Sequence, residues 1–406
     1  MILHENQKIF NDKIKATAEA MKTEPFYIEK DYWVTYMLKK IAHSEFKDNI
    51  SFKGGTSLSK AYNMIHRFSE DVDLRIYDGD KIFGGGTAKR LYKSIESVIG
   101  DDSLTNQRIT NRGDALREQR FEFKNSFANP SDEILPYVKL EQNYQSSYLP
   151  MEQREIESYV GLYIKKESPK LYVDADLGAF SIATLSPKVT FAEKIGALED
   201  YYHKGLKDGD FSKLLGSVRH FYDLHMMMHN DYFSGYLDSD EFIENLLKKR
   251  ENDIKKFLPE VRREEKLQET HYGFLIKNTI EDCPIFFNLS TANNDLFEKL
   301  RDVYNNSFSL ITFNELPEFD EVVNSLNVIG SKIVASKSLL NLSSIYEGNF
   351  ESETTEIKEE ASLKDVETEK DGAKANNKAE VVKKETTDLG IKTTPEEDIE
   401  EPIAPK

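Results

Sequence analysis

One cysteine, Cys283, occurs in the whole chain, so no intramolecular disulfide can form and a cysteine-based metal site is excluded; both fit a reducing compartment. Long apolar runs are also missing. No stretch of about eighteen apolar residues appears, and the first twenty residues lack the basic-then-apolar pattern of a secretion signal, so the expected location is cytoplasmic, with no membrane contact. An excess of positive charge is missing as well. The net charge of −18 argues against a broad electrostatic grip on nucleic acid but leaves room for a local basic patch. Aromatic residues are absent from Glu351 to Lys406, where 17 acidic residues stand against 9 lysines. Such a segment cannot bury enough apolar surface to offset its chain entropy and reads as a disordered acidic tail.

The chain as a whole is nonetheless globular in composition, 39% hydrophobic and 11% aromatic, and long enough at 406 residues for two domains and a tail. Up to about residue 185 the patterns are mixed. "EKDYWVTYMLKKIAHSEF" carries Trp33, Met37, Leu38 and Ile41 at helical spacing, whereas "DVDLRIY", "ILPYVKLEQNY" and "KLYVDADLGAFSIATL" alternate as half-buried strands. After Ser186-Pro187 the patterns turn helical through "KVTFAEKIGALEDYYHKG", "SVRHFYDLHMMMHN", "DEFIENLLKKRENDIKKFL" and "NNDLFEKLRDVYNN". The expected organisation is an α+β core over 1–185, a helical domain over 186–345 and a disordered tail over 346–406.

The chemistry concentrates in "FKGGTSLSKAYNMIHRFSEDVDLRIY". Gly54-Gly55 followed by Thr56 and Ser57 leads into a helix expected to run to about Ile65, with Lys60 one turn in. Such a turn offers free backbone N–H groups to phosphate, although the Walker order is absent. Asp71 and Asp73 then share one strand face. Two carboxylates roughly 7 Å apart repel by about 2.4 kcal/mol at an effective dielectric of 20, so the pair calls for a cation, for which Mg²⁺ is suited. Two-metal phosphoryl chemistry wants a third carboxylate on a neighbouring strand. Glu141, or the Asp174 and Asp176 pair, satisfies that pattern, and alternation alone does not choose between them. Three weaker features are best read blandly: His225 and His229 in "HMMMH" as core or partly buried histidines, Gly84-Gly85-Gly86-Thr87 as a flexible connection ahead of a helix, and "KKRENDIKKF" as a solvated helix face.

"FKGGTSLSKAY…RFSEDVDL" resembles the signature of the AbiEii nucleotidyltransferase toxin family of type IV toxin–antitoxin, abortive-infection systems. "IEKDYWVTYML", "VKLEQNY…YLP", "LSPKVTFAEKIGAL" and "RHFYDL" follow in the family's order, over roughly residues 26 to 230, with nothing similar from about 236 onward. The resemblance implies a minimal nucleotidyltransferase fold, a mixed sheet flanked by helices and followed by an α-helical C-terminal domain. It implies transfer of a nucleotide from an NTP to an RNA acceptor such as a tRNA 3′ end, two Mg²⁺ ions, and a cognate antitoxin encoded nearby. Carried over, Gly54, Gly55, Thr56, Ser57 and Lys60 would hold the nucleotide, Asp71, Asp73 and Glu141 the metal, and Lys194 and Asp223 would complete the site, with Lys194 also touching phosphate. His220 stands where many relatives carry an acid. Two alternatives remain: the same fold acting on a protein or small-molecule hydroxyl, and a non-catalytic nucleotide- or partner-binding module.

Overall fold

In the computed structural model, the described residues are 2–69, 71–77, 85–112, 116–130, 134–144, 150–263, 283–313 and 315–336. By contacts the chain divides into Met1–Leu340 and Asn341–Lys406; the second unit, with the expected acidic tail, lies outside the described residues.

Seven strands form one mixed sheet: β1 (Ile50–Lys53), β2 (Asp71–Ile76), β3 (Thr105–Arg112), β4 (Leu116–Glu122), β5 (Val138–Tyr144), β6 (Met151–Ile156) and β7 (Phe180–Leu185), in the order β3-β4-β5-β2-β1-β7-β6. The central strands are short and carry apolar residues at alternate positions, as Val72, Leu74 and Ile76 do in β2 and Val138 and Leu140 in β5, all fully buried. β2 runs antiparallel to β1 and parallel to β5. Helices α1 (Gln7–Met21) and α2 (Pro25–Ala42) precede β1, and α3 (Gly54–Lys60), α4 (Gly85–Ile99), α5 (Tyr159–Glu167) and α6 (Pro169–Asp174) lie between strands in the chain order. α2 opens on Pro25, which fits the first helical turn because its missing N–H would be unpaired there anyway. Its Trp33, Met37, Leu38 and Ile41 are buried against the sheet, in the expected helical pattern.

After β7 every described element is helical: α7 (Pro187–Asp208), α8 (Ser212–Leu215), α9 (Arg219–Met228), α10 (Asp240–Arg263), α11 (Leu289–Ala292), α12 (Asn294–Asn306) and α13 (Phe319–Ala335), with short 3-10 turns between. The change falls between Leu185 and Pro187. The architecture is α+β, a mixed sheet with flanking helices followed by a helical region. No helix among the described residues is long and apolar enough to cross a membrane.

Two expectations are corrected. "KLYVDADLGAFSIATL" is not a continuous strand. Ser168-Pro169 starts α6, which ends at Asp174, and Asp176 adopts a left-handed conformation (φ 51°) before β7 begins at Phe180. Asp174 and Asp176 therefore do not share a strand face, and Asp176 pairs with Lys39 at 2.8 Å. The helix after the glycine turn stops at Lys60 rather than near Ile65, because Asn63 takes φ 50° and Met64 N–H turns back to the Leu58 carbonyl.

Candidate active site

The sheet register gathers the acidic residues. In the parallel β2–β5 pair, Asp73 lies directly opposite Glu141 and Asp71 opposite Lys139, while β1 sets Lys53 opposite Asp73. Because cross-strand partners share a face, all three carboxylates project to the same side. A cavity of about 300 Å³ opens there, the low end of ligand-site sizes. Asp71, Asp73 and Glu141 form an acidic wall on the sheet, with Lys53 beside Asp73, and Arg67, Lys194 and Arg219 form a basic wall from outside the strands; Gly54 and Gly55 of the turn also line the cavity. Phe68, Ile134 and Ile311 supply an apolar side.

The acidic wall carries more negative charge than its neighbours neutralise. Burial, reinforced by the charges of Glu141 and Asp71, pushes the Asp73 carboxyl up to about 7. Lys139 Nζ lies 2.9 Å from Asp71 Oδ2 and 2.6 Å from Glu141 Oε1. Burial opposes its charge, but Asp71 and Glu141 outweigh that and hold the ammonium above the usual lysine range. Asp71 Oδ1 is buried and makes no hydrogen bond. Among the described residues no three His, Cys, Asp or Glu side chains close on a single point as they stand. The donor set is nonetheless three hard carboxylates with one buried oxygen unsatisfied, which is the chemistry Mg²⁺ prefers.

The basic wall is a buried network. Arg67 donates to Asp223 from Nε at 2.7 Å and from Nη2 at 2.8 Å, and Lys194 Nζ donates to Asp223 Oδ2 at 2.7 Å. Burial alone would raise the Asp223 carboxyl, yet Arg67 and Lys194 hold it well below the usual range. Burial lowers Lys194, with Asp223 opposing. His220 Nδ1 sits 3.2 Å from Lys194 Nζ, and burial together with the Lys194 and Arg219 charges keeps that imidazole neutral. Asp223 thus binds Lys194 across the helices and Arg67 from the segment ahead of β2. Lys194 is buried, and its neighbour Glu193 faces Lys53 at 3.5 Å.

The glycine turn fits closely over the acids. Gly54 has φ +80°, and a Cβ there would lie 1.9 Å from Asp73 Oδ2; one on Gly55 would lie 2.5 Å from Arg67 Nη2. Gly54→Ala is therefore expected to cost about 1–3 kcal/mol in strain. By displacing Asp73 it should also lower transfer by about 10²-fold, which denaturant unfolding and a transfer assay would measure side by side. Thr56 and Ser57 are buried behind the turn. The Thr56 hydroxyl donates to the Asp71 carbonyl at 2.5 Å and Ser57 Oγ to the Gly54 carbonyl at 2.9 Å, so both brace the loop.

Lys60 is not brought to the cavity. It forms a buried ion pair with Asp31 of α2 and lies 4.9 Å from the Tyr159 ring centre. Lys60→Met is expected to cost about 3 kcal/mol by leaving Asp31 without its cation, with no change in KM for NTP; a raised KM with intact stability would return Lys60 to the nucleotide.

Lys53, Arg67, Ser69 and Lys139 are site residues that sequence reasoning did not single out. Each lies within a quoted motif, but what distinguishes them is a partner on another element. His225 and His229 pack ring to ring at 4.4 Å, with His225 Nδ1 at 2.8 Å from Ser325 Oγ; His229 is exposed rather than core. Of the triple-glycine connection, Gly84 lies outside the described residues, and α4 begins at Gly85. In "KKRENDIKKF", Lys248, Lys249 and Arg250 pair with Glu244, Asp253 and Glu199.

Comparison with known protein families matches residues 36–325 to the nucleotidyl transferase AbiEii toxin of type IV toxin–antitoxin systems. The chain belongs to the AbiEii family. It is accordingly a nucleotidyltransferase of the toxin class in such systems, whose scheme includes an antitoxin partner. No curated protein matches it. The AbiEii match extends past residue 236, where the sequence alone showed nothing similar, and the structure supplies a reason. The segment after α12 returns to the site: Arg67 and Thr312 form a β-bridge, Phe68 N–H donates to the Ile311 carbonyl at 2.8 Å, and Phe313 N–H to that of His66 at 3.2 Å. The helical region of this AbiEii chain therefore walls the same cavity as the sheet.

Proposed function

We propose that this protein is an Mg²⁺-dependent nucleotidyltransferase that moves a nucleotide from an NTP onto an RNA hydroxyl, such as a tRNA 3′ end, in the cytoplasm, under control of a cognate antitoxin. The observation that supports the reading is the meeting of opposite charges in one cavity, three carboxylates on β2 and β5, with Lys53 beside Asp73, and Arg67, Lys194 and Arg219 from outside the strands. A triphosphate bridged to a divalent cation matches both walls at once.

In the proposed reaction the acceptor hydroxyl gives its proton to a carboxylate of the acidic wall and its oxygen attacks the α-phosphorus; a new P–O bond forms, the α–β bridge breaks and pyrophosphate leaves with the electron pair. Asp71, Asp73 and Glu141 would hold Mg²⁺, which when bound neutralises triphosphate charge and assists departure of pyrophosphate. Lys194 and Arg67, fixed by Asp223, present cations toward the phosphates without reorganisation, the arrangement from which electrostatic catalysis draws most of its effect. Gly54 and Gly55 let the backbone approach the phosphates, and the apolar side formed by Phe68, Ile134 and Ile311 excludes water.

The test is incubation with each α-³²P-labelled NTP, Mg²⁺ and total bacterial RNA. Label in a tRNA-sized band supports the RNA acceptor. Label on protein keeps the site and changes the acceptor, and NTP binding without any label would reduce the protein to a binding module.

A further inference from the structure

Lys139 occupies an unusual place for a structural ion pair. β5 sets it opposite Asp71, two residues before Glu141, so that its stem lies between the two acids on the cavity side of the sheet. Its ammonium contacts Asp71 Oδ2 at 2.9 Å and Glu141 Oε1 at 2.6 Å, bridging two of the three carboxylates that a divalent ion would share. The bridge is incomplete. It satisfies one oxygen of Asp71 and leaves Oδ1 buried with no hydrogen bond, as expected where a second cation has yet to be accommodated.

We propose that Lys139 is an internal counter-ion that competes with the divalent cation for Asp71 and Glu141, holding the acids together in the empty site and yielding its place when the metal binds. The inference rests on the metal reading given above. An ammonium and a divalent ion repel each other, so binding the ion between these acids requires the lysine to withdraw. It has somewhere to go. The Lys139 side chain is 24% exposed, so its flexible stem can carry the ammonium out to solvent. On this account Lys139 weakens metal affinity in exchange for a stable empty site. It is a positioning residue, not a catalytic one.

The experiment is Mn²⁺ binding to the full-length protein, read by EPR without NTP or acceptor, for the native chain, Lys139→Met, Lys139→Gln and Lys139→Arg, with Asp71→Asn as the site control. Removing the charge is expected to tighten Asp71-dependent Mn²⁺ binding about tenfold or more in both neutral variants, while Lys139→Arg stays near the native value. The metal-free neutral variants should melt earlier, and Mn²⁺ should raise their melting temperature by more than it raises that of the native chain. Equal or weaker Asp71-dependent binding in the neutral variants would overturn the counter-ion role and leave the metal site standing. Absence of any Asp71-dependent binding in all four proteins would overturn both.

Discussion

Asp73→Asn should abolish nucleotide transfer, by about 10³-fold or more, and at the same time make the metal-free protein more stable. The two effects have one cause. Asp73 faces Glu141 across β2 and β5, and burial with that negative neighbour and Asp71 raises its carboxyl to about 7. In the unfolded chain an aspartate titrates near 4. Between those values the folded protein retains a proton that the unfolded one has released. Asp73 therefore favours the fold most below about pH 4 and loses that advantage as pH rises to about 7. Above about pH 7 it stands as a charge that Lys53 and Lys139 compensate only in part. An amide of the same shape removes the repulsion, and a rise of about 2–4 °C in melting temperature, equivalent to ~1 kcal/mol, is expected at pH 8. The difference between variant and native chain should shrink toward pH 5. A variant that lost activity and stability together at every pH would mean that Asp73 braces the fold rather than being held ready for a cation.

The second large effect lies on the opposite wall. Asp223 accepts hydrogen bonds from Arg67 Nε, Arg67 Nη2 and Lys194 Nζ, and all three side chains are almost wholly buried. Asp223→Ala leaves two buried cations without their counter-charge and is expected to cost about 3–5 kcal/mol. Lys194→Met is the informative partner. It removes one cation, keeps the stem volume, and leaves Arg67 with both of its bonds to Asp223. Its stability should stay close to native, while transfer falls by about 10²-fold or more. The pH signs differ from those at Asp73. The Asp223 carboxyl is held below the ordinary range, so its contribution is present above pH 4 and is lost as acid protonates it in the folded state. Acid unfolding of the native chain, compared with Asp223→Ala, would show this as a steep low-pH limb that the variant lacks.

Much of this was legible in the sequence because the decisive pattern is local. Alternation in "DVDLRI" assigns Asp71 and Asp73 to one face without any tertiary information, and "YVKLEQNY" does the same for Glu141. Parallel register then completes what pattern leaves open, by setting Glu141 against Asp73 and excluding Asp174 and Asp176, which lie on a helix end and a left-handed turn. That error had a local source: "LYVDADL" alternates as a strand does, but Ser168-Pro169 just upstream starts a helix that overrides the alternation. Lys60 lies away from the cavity for another reason. Helical spacing fixes the direction of its stem but not which of two neighbouring acidic regions it reaches, and Asp31 on α2 is the one within range. Arg67 and Lys139 were passed over because a cation in an acid-rich stretch looks ordinary until folding shows what it touches. The bridge from Thr312 to Arg67 spans more than two hundred residues, a separation at which sequence spacing carries no signal.

The central claim is that this cavity transfers a nucleotidyl group, and parallel reactions with α-³²P- and γ-³²P-labelled NTP test it most directly. The expected result is stable incorporation of the α-label into the acceptor with the γ-label released as pyrophosphate, both lost in Asp73→Asn. Incorporation of the γ-label instead, or α-label transfer that persists in Asp73→Asn, would contradict the account.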